Sequence, residues 1–186
     1  YFIDAESGEI LNKFSTICKA SGHVHEDCSG RHARNSFEEI AGREVGTGVD
    51  LSGIFRNLQV YECNGLYYLI DASRAMFTGN ETNCSDADAL LVGTITTLNA
   101  QNSSPATGSF SWIFSSDQDN NWTDPIAVSA HYNGGVAYEY YRTTFNRNSI
   151  NGRGGNILSF YNVSETDGGG MDNAFWNGSA IYYGNG

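Results

Sequence analysis

Positive charge is scarce in this chain. Lys and Arg number 10 against 21 Asp and Glu, which leaves a net charge of −11 and a pI near 4.6. A nucleic-acid partner needs a basic footprint, so that class is excluded. Charged residues are few altogether, at 17%. No apolar run reaches the roughly 20 residues that cross a bilayer, so no membrane span is expected. There is no initiator Met and no signal peptide, and the chain is expected to be a processed or excised piece. Histidine is limited to His23, His25, His32 and His131, and none stands in a His-Glu-x-x-His pattern.

What is present suits a β-rich, turn-rich extracellular domain: 13% aromatic residues and 22 Gly in 186 residues, enough chain for one sizeable core. The acidic surface suits calcium and a secreted life. Four cysteines, Cys18, Cys28, Cys63 and Cys84, allow three pairings. Sequence neighbours close short loops, which favours Cys18–Cys28 with Cys63–Cys84 over free buried thiols. Asn-x-Ser/Thr sequons begin at Asn80, Asn83, Asn102, Asn121, Asn162 and Asn177. Asn80, Asn83, Asn102 and Asn162 are the glycosylation candidates, since Asn121 and Asn177 carry other expected roles.

Residues 1–14 read as a β-hairpin, with Phe2-Ile3 and Ile10-Leu11 as arms around Glu6-Ser7-Gly8. Residues 15–48 lack apolar periodicity and read as a connector. Within it, Cys18-x4-His23-x-His25-x2-Cys28-x3-His32 offers soft and borderline ligands to a transition metal, or else a disulfide loop with solvated histidines. Ser36-Phe37-Glu38-Glu39 has the form of a capping box opening a short helix to about Gly42. Strands are expected from Val45. Arg56–Glu62 and Leu66–Ile70 flank Asn64-Gly65, a type I′ hairpin signal, with Leu58 and Val60 on one face and Leu66, Tyr68 and Ile70 sharing another. Leu90–Leu98 is expected as a strand, 99–109 as a loop, Phe110–Phe114 and Asn156–Val163 as strands.

Asp117, Asp119 and Asn121 place oxygen donors at alternate positions of one loop, which is how a tight turn wraps calcium. The alternative is an acidic surface turn, and the loop lacks the glycine and distal glutamate of an EF-hand. Asp124-Pro125 then opens one long helix to about residue 146, with Asp124 as cap and Arg142 and Arg147 near its far end. Ile126, Ala130, Ala137 and Tyr141 form one stripe, widened by Val128, Tyr132, Val136 and Tyr140. Gly134-Gly135 in mid-helix costs about 1 kcal/mol per residue against Ala and signals close packing on a sheet. His131 reads as a core histidine, because no second ligand is spaced to join it on a metal. The closing stretch, Asn173-Ala174-Phe175-Trp176-Asn177-Gly178, reads as a strand with Ala174 and Trp176 on one face and Phe175 and Asn177 on the other. At a sheet edge such a strand can accept an extended peptide; otherwise it is a buried hairpin.

Asn-Ala-Phe-Trp-Asn-Gly, some forty residues after Ala-His-Tyr-x-Gly-Gly-Val-x-Tyr-x-Tyr-Tyr, resembles the secreted thermolysin-like zinc metallopeptidases. Tyr-Phe-Ile-Asp-Ala-x-Ser-Gly-Glu-Ile resembles the closing hairpin of the PepSY-type propeptide that precedes many of them, and Gly46-Thr47-Gly48-Val49 resembles the opening of their catalytic domain. The resemblance implies an α+β fold, mostly antiparallel β with one long helix. It implies a propeptide-type tail at 1–17, a connector with a disulfide loop at 18–48 and the N-terminal lobe at 49–186. It implies that Asn173, Ala174, Phe175 and Trp176 line a substrate cleft, Asn173 through its side chain and Ala174 through its main chain. Calcium would be held by Asp117, Asp119 and Asn121. Ser129 stands where the family usually has Asp. The family's His-Glu-x-x-His helix follows this strand, and the chain stops at Gly186 before it. Zinc is therefore not expected to bind this chain, and no peptidase activity is expected from it alone.

Two readings of function follow. The first is the non-catalytic N-terminal portion of a metallopeptidase precursor, whose partners are the remainder of the enzyme and peptide segments. The second is an extracellular filament subunit on a truncated peptidase scaffold, in which copies join by β-strand addition through the N-terminal hairpin. An inhibitor or chaperone remnant is a third and weaker reading.

Overall fold

The computed structural model describes residues 2–3, 10–12, 41–79 and 92–186. The chain divides into two units, Tyr1–Phe37 and Glu38–Gly186. In the first, β1 (Phe2–Ile3) and β2 (Ile10–Asn12) pair antiparallel, with Ile3 opposite Ile10. The two arms expected there pair; the turn expected at Glu6-Ser7-Gly8 lies outside the described residues. The Cys18–Cys28 and histidine stretch lies outside the described residues.

The second unit runs β3 (Ala41–Val49), β4 (Phe55–Cys63), β5 (Leu66–Tyr68), β6 (Ile70–Asp71), β7 (Ile95–Ser103), β8 (Ile113–Phe114), β9 (Ser116–Asp117), β10 (Asn121–Trp122), α1 (Pro125–Phe145), β11 (Ile157–Val163), β12 (Ala174–Trp176) and β13 (Ile181–Gly184). Two sheets result, in the orders β10-β3-β4-β5-β9 and β12-β13-β11-β7-β6, with β8 added beside β7. The fold is α+β. Neighbours β7, β11 and β13 run parallel, as do β3 and β10; the other pairings are antiparallel. Among the described residues no helix is long and apolar enough to cross a membrane.

Local chemistry explains the first sheet. Asn64 and Gly65 both have positive φ, 54° and 80°, as a type I′ turn demands. Leu58 and Val60 point one way, into a core with Trp122, Ala127 and Val128. Tyr61 and Cys63 point the other way, against Ile70 and Ala72. Of the residues expected to share a face, Tyr68 and Ile70 do pack in this second cluster, although the strand breaks at Leu69. The Leu69 N–H donates to the Ser115 carbonyl and its own carbonyl accepts from Thr97 N–H, so Ile70 enters the second sheet opposite Thr96.

Other boundaries also move. Ala41 and Gly42 are strand, not the end of a helix. The strand expected at 90–98 starts at Ile95, after a turn in which Gly93 (φ 86°) passes so close to the Met76 carbonyl that a Cβ would lie 1.9 Å from it. That strand continues to Ser103 through residues expected as loop, and only Ile113–Phe114 of the expected 110–114 strand is paired. Asn99-Ala-Gln-Asn-Ser has poor intrinsic strand preference; pairing with β11 and β8 overrides it.

Helix α1 starts as expected: the Asp124 carboxylate accepts from Ile126 and Ala127 N–H, and Asn146 ends it in the left-handed region. Its buried face matches the expected stripes at Val128 and Ala130 and departs from them elsewhere. Ala127, Val128, Ala130, His131, Gly135 and Tyr138 are buried, while Val136, Tyr140 and Tyr141 are exposed. Small residues make the seam where the helix lies closest. A Cβ on Gly134 would meet Ile95 Cγ2 at 3.0 Å, and one on Gly135 would meet Arg74 Nη2 at 2.7 Å.

Candidate functional site

Among the described residues, strand β12 is the terminal strand of the second sheet and pairs only with β13. Its register decides which main-chain groups are free. Ala174 lies opposite Tyr183, Phe175 opposite Tyr182 and Trp176 opposite Ile181. The Asn173 carbonyl accepts from Gly184 N–H at 2.9 Å, and Asn177 N–H donates to the Ala180 carbonyl at 3.2 Å. Residues alternate along an antiparallel ladder, so Asn173, Phe175 and Asn177 turn their backbone groups toward β13. Ala174 and Trp176 turn theirs outward. No described strand pairs with that outer edge.

The side chains divide as expected. Ala174 and Trp176 are exposed, and Phe175 is half-buried. The Phe175 ring stacks on Tyr182 with centroids 5.0 Å apart and planes 9° apart, and Tyr182 stacks on Phe160 at 5.1 Å and 16°. Asn177 fastens the following turn: its Oδ1 accepts from Ser179 and Ala180 N–H, and its Nδ2 donates to the Tyr182 hydroxyl at 3.1 Å. The Asn173 carboxamide is exposed at the edge. Beside it lies a cavity of about 460 Å³ lined by Leu51, Ile126, Met171, Asn173, Ala174 and Tyr183, among others. Its wall is mostly apolar, with Ser129, Asn133, Asp172 and Asn173 as polar residues, the usual composition of a ligand cleft.

The acidic loop is a separate construction. Asp117 Oδ1 accepts from Asp119 N–H at 2.8 Å and Asn121 N–H at 3.3 Å, which closes the turn. Asn120 seats the loop on β3. Its Nδ2 donates to the Val45 carbonyl, its Oδ1 accepts from Trp122 Nε1, and its carbonyl accepts from Thr47 N–H. Two carboxylates and an amide oxygen suit a hard cation in donor type. With only two acidic side chains, the loop forms no cluster of three or more His, Cys, Asp or Glu; among the described residues none exists.

His131 is a core residue, as expected. It is 3% exposed, with Nε2 2.7 Å from the Gln59 carbonyl and Nδ1 3.0 Å from Thr97 Oγ1. Burial pushes its imidazole below the ordinary value; the Gln59 carbonyl and the Asp71 charge oppose that and the Arg74 charge adds to it. Ser129 accepts Leu51 N–H at 2.9 Å through its hydroxyl, so this departure from the family pattern ties the helix to the β3–β4 loop. Cys63 is 6% exposed and disulfide-bonded. Cys84, Asn80 and Asn83 lie outside the described residues. Asn162 Nδ2 donates to Asn99 Oδ1, whereas exposed Asn102 uses its oxygen to accept from Asn185 Nδ2.

Two groups were not singled out from sequence. Asp50 Oδ1 accepts from Ser52 and Ile54 N–H, and Oδ2 accepts from Arg56 Nε at 2.7 Å. Its carboxyl is lowered, first by the Ile54 N–H and then by Arg56. Arg56 lies 4.3 Å over the Tyr132 ring. Asp71, 2% exposed, pairs with Arg74 Nε at 2.6 Å, and Arg74 reaches Glu139 on α1. The sequence signal for the first was Asp-x-Ser-Gly in a hairpin turn; in the second, Asp71 and Arg74 are three residues apart, and only the reach from Arg74 to Glu139, 65 residues away, had no local signal.

The family model for the thermolysin metallopeptidase catalytic domain matches residues 45–186. This chain belongs to the thermolysin metallopeptidase family. It is 35% identical to a bacillolysin of Bacillus cereus and 32% identical to the thermostable neutral protease NprT of Geobacillus stearothermophilus. Each match covers 100% of this chain, but only 30% and 28% of those relatives. The chain thus spans under a third of their length. A precursor of protealysin from Serratia proteamaculans overlaps in structure over 50% of this chain and 26% of its own, at 23% identity and a TM-score of 0.37, and nothing rests on that likeness.

Proposed function

We propose that this chain is the substrate-cradling, non-catalytic N-terminal portion of a secreted thermolysin-family metallopeptidase precursor. The observation that carries the reading is the outward-facing backbone of Ala174 and Trp176 on the unpaired side of β12. An extended peptide adds there as a further strand, Asn173 bonds its backbone, and Phe175 and Trp176 flank its side chains. Asp117, Asp119 and Asn121 hold calcium, and zinc belongs to the remainder of the enzyme. Residues 1–17 are the tail of the propeptide. Cys18–Cys28 and Cys63–Cys84 are the disulfides. If the chain is glycosylated, Asn102 is the better-placed acceptor of the two described candidates, because the Asn162 nitrogen is already a donor.

The test is peptide binding followed by chemical-shift perturbation, with Ala174→Pro as the decisive variant. Proline at an edge position removes one outward N–H without breaking an internal bond. Binding of a blocked extended peptide should weaken about two- to tenfold at unchanged fold, since a hydrogen bond is lost. Equal binding by wild type and variant would rule out strand addition at β12.

The free β12 edge, with the separate two-stranded β1–β2 sheet, also favours the second reading, a subunit that polymerises by strand addition. Light scattering separates the two: a native mass near 20.2 kDa, or one heterocomplex, supports the precursor, and a large particle built only of this chain supports the polymer.

A further inference from the structure

We propose that His131 is an acid-sensitive bolt that holds helix α1 against both sheets, and that its protonation loosens the helix wall of the cavity beside the edge strand. The geometry is specific. Nε2 faces the Gln59 carbonyl of β4 in the first sheet, and Nδ1 faces the Thr97 hydroxyl of β7 in the second. A carbonyl only accepts, so Nε2 carries the proton. Nδ1 is then a lone pair, and the Thr97 hydroxyl donates to it. One neutral tautomer thus serves both sheets.

The imidazolium does so only at a cost. With Nδ1 protonated, the Thr97 hydroxyl must turn to accept, and its own proton, in a side chain 1% exposed, is left without the acceptor it had. The charges acting on the ring are Asp71 and Arg74, from β6 and the segment after it. Asp71 is already spent, with Oδ2 on Arg74 Nε and Oδ1 on the Ser73 N–H and hydroxyl. Arg74 opposes a second cation. The contacts from β4 and β7 are a carbonyl and a hydroxyl, both neutral. Glu139, the acidic residue of α1, is occupied by Arg74 and Arg142. An unscreened buried charge with no free partner is costly.

The bolt is close to the candidate site. Ser129, Ala130 and Asn133 flank His131 in sequence and line the cavity that Asn173 and Ala174 also line. The consequence for peptide capture rests on the function proposed above; the bolt itself does not.

The sign follows from linkage. The folded imidazole lies below its ordinary value of 6.5, so the unfolded chain takes up a proton that the folded chain resists. Stability is full above about pH 6.5 and falls as pH drops below it, by up to about tenfold in the folding constant per pH unit for one proton. Amide exchange in α1, corrected for intrinsic rates, should speed up about tenfold between pH 7 and 5.5 in wild type. His131→Gln should be nearly flat, since the amide stays neutral and can still donate to Gln59 and accept from Thr97. An equal acid response in both proteins, or none in wild type, would overturn the proposal. Should the variant not fold, nitrogen-detected titration of His131 in wild type decides: ring protonation must track the exchange change in α1. A ring that titrates with no change in α1 exchange defeats the bolt. Peptide affinity measured at both pH values separates the two ideas, because a working bolt with no peptide binding at either pH defeats only the proposed function.

Discussion

Gly46 and Gly48 are on β3 because other residues need the space. A Cβ on Gly46 would sit 2.1 Å from Asn120 Oδ1, and one on Gly48 would sit 2.6 Å from Val128 Cγ2 and 2.8 Å from the Trp122 carbonyl. The first glycine seats the acidic loop and the second seats the helix. Gly48→Ala should therefore destabilise by about 1–3 kcal/mol, the range for overpacking a tight core. Gly108→Ala, where a Cβ meets nothing within 4 Å, should stay within about 0.5 kcal/mol. Urea denaturation of the two variants checks this; equal midpoints would mean that β3 gives way easily. Asp50 yields a pH prediction. Its folded carboxyl is lowered from 3.8, so it adds stability that is present above that value and lost as pH falls through the lower folded value. Asp50→Asn should flatten the acid limb of the stability profile below about pH 4, and an unchanged limb would show that the Ile54 and Arg56 bonds do not favour the charged form.

At the scale of elements, the helix ends were legible and its buried face only in part. Asp124-Pro125 is a local start signal, because the carboxylate takes the first free N–H groups and proline needs none there. Asp124→Ala should cost about 0.5–2 kcal/mol in thermal or urea unfolding; no loss would mean that packing alone holds the first turn. The close packing at Gly134-Gly135 and the core position of His131 were readable, whereas Val136, Tyr140 and Tyr141, placed on the stripes by their apolar character, are exposed. Close approach to Ile95 and Arg74 selects the small residues instead, and His131 is buried by its two hydrogen bonds rather than by apolarity. The same contrast runs through the strands. The Asn64-Gly65 turn was readable because both positions need positive φ. The break at Leu69 and the extension of β7 to Ser103 were not, since partners from distant sequence decide them. Of the candidate site, the alternation of β12 was legible from its own residues, and its edge position depends on where β13 and β11 lie.

The whole second unit is held by closures that join distant parts, and the acidic loop is one of them. Strands β9 and β10 are the two outer strands of the first sheet, yet only residues 118–120 separate them in sequence. The loop therefore links one side of that sheet to the other, from β5 to β3. A cation held by Asp117, Asp119 and Asn121 would act on this clasp, not on a loose surface turn. It would also relieve repulsion in a chain of net charge −11. A ligand that binds only the folded state at about 100 times its dissociation constant stabilises by about 2.7 kcal/mol. For a unit of this size that is a rise of roughly 5–11 °C in thermal midpoint, at about 2–4 °C per kcal/mol. Calorimetry in calcium and in chelator should show that difference for wild type, and Asp119→Asn should abolish most of it while leaving the chelator midpoint nearly unchanged, because the Asp119 carboxylate makes no hydrogen bond among the described residues. A loss in chelator as large as the loss in calcium would make Asp119 a structural residue of the turn. Identical wild-type midpoints in the two buffers would mean that the clasp is closed by Asp117 and Asn120 alone, through the hydrogen bonds that already fix the loop on β3.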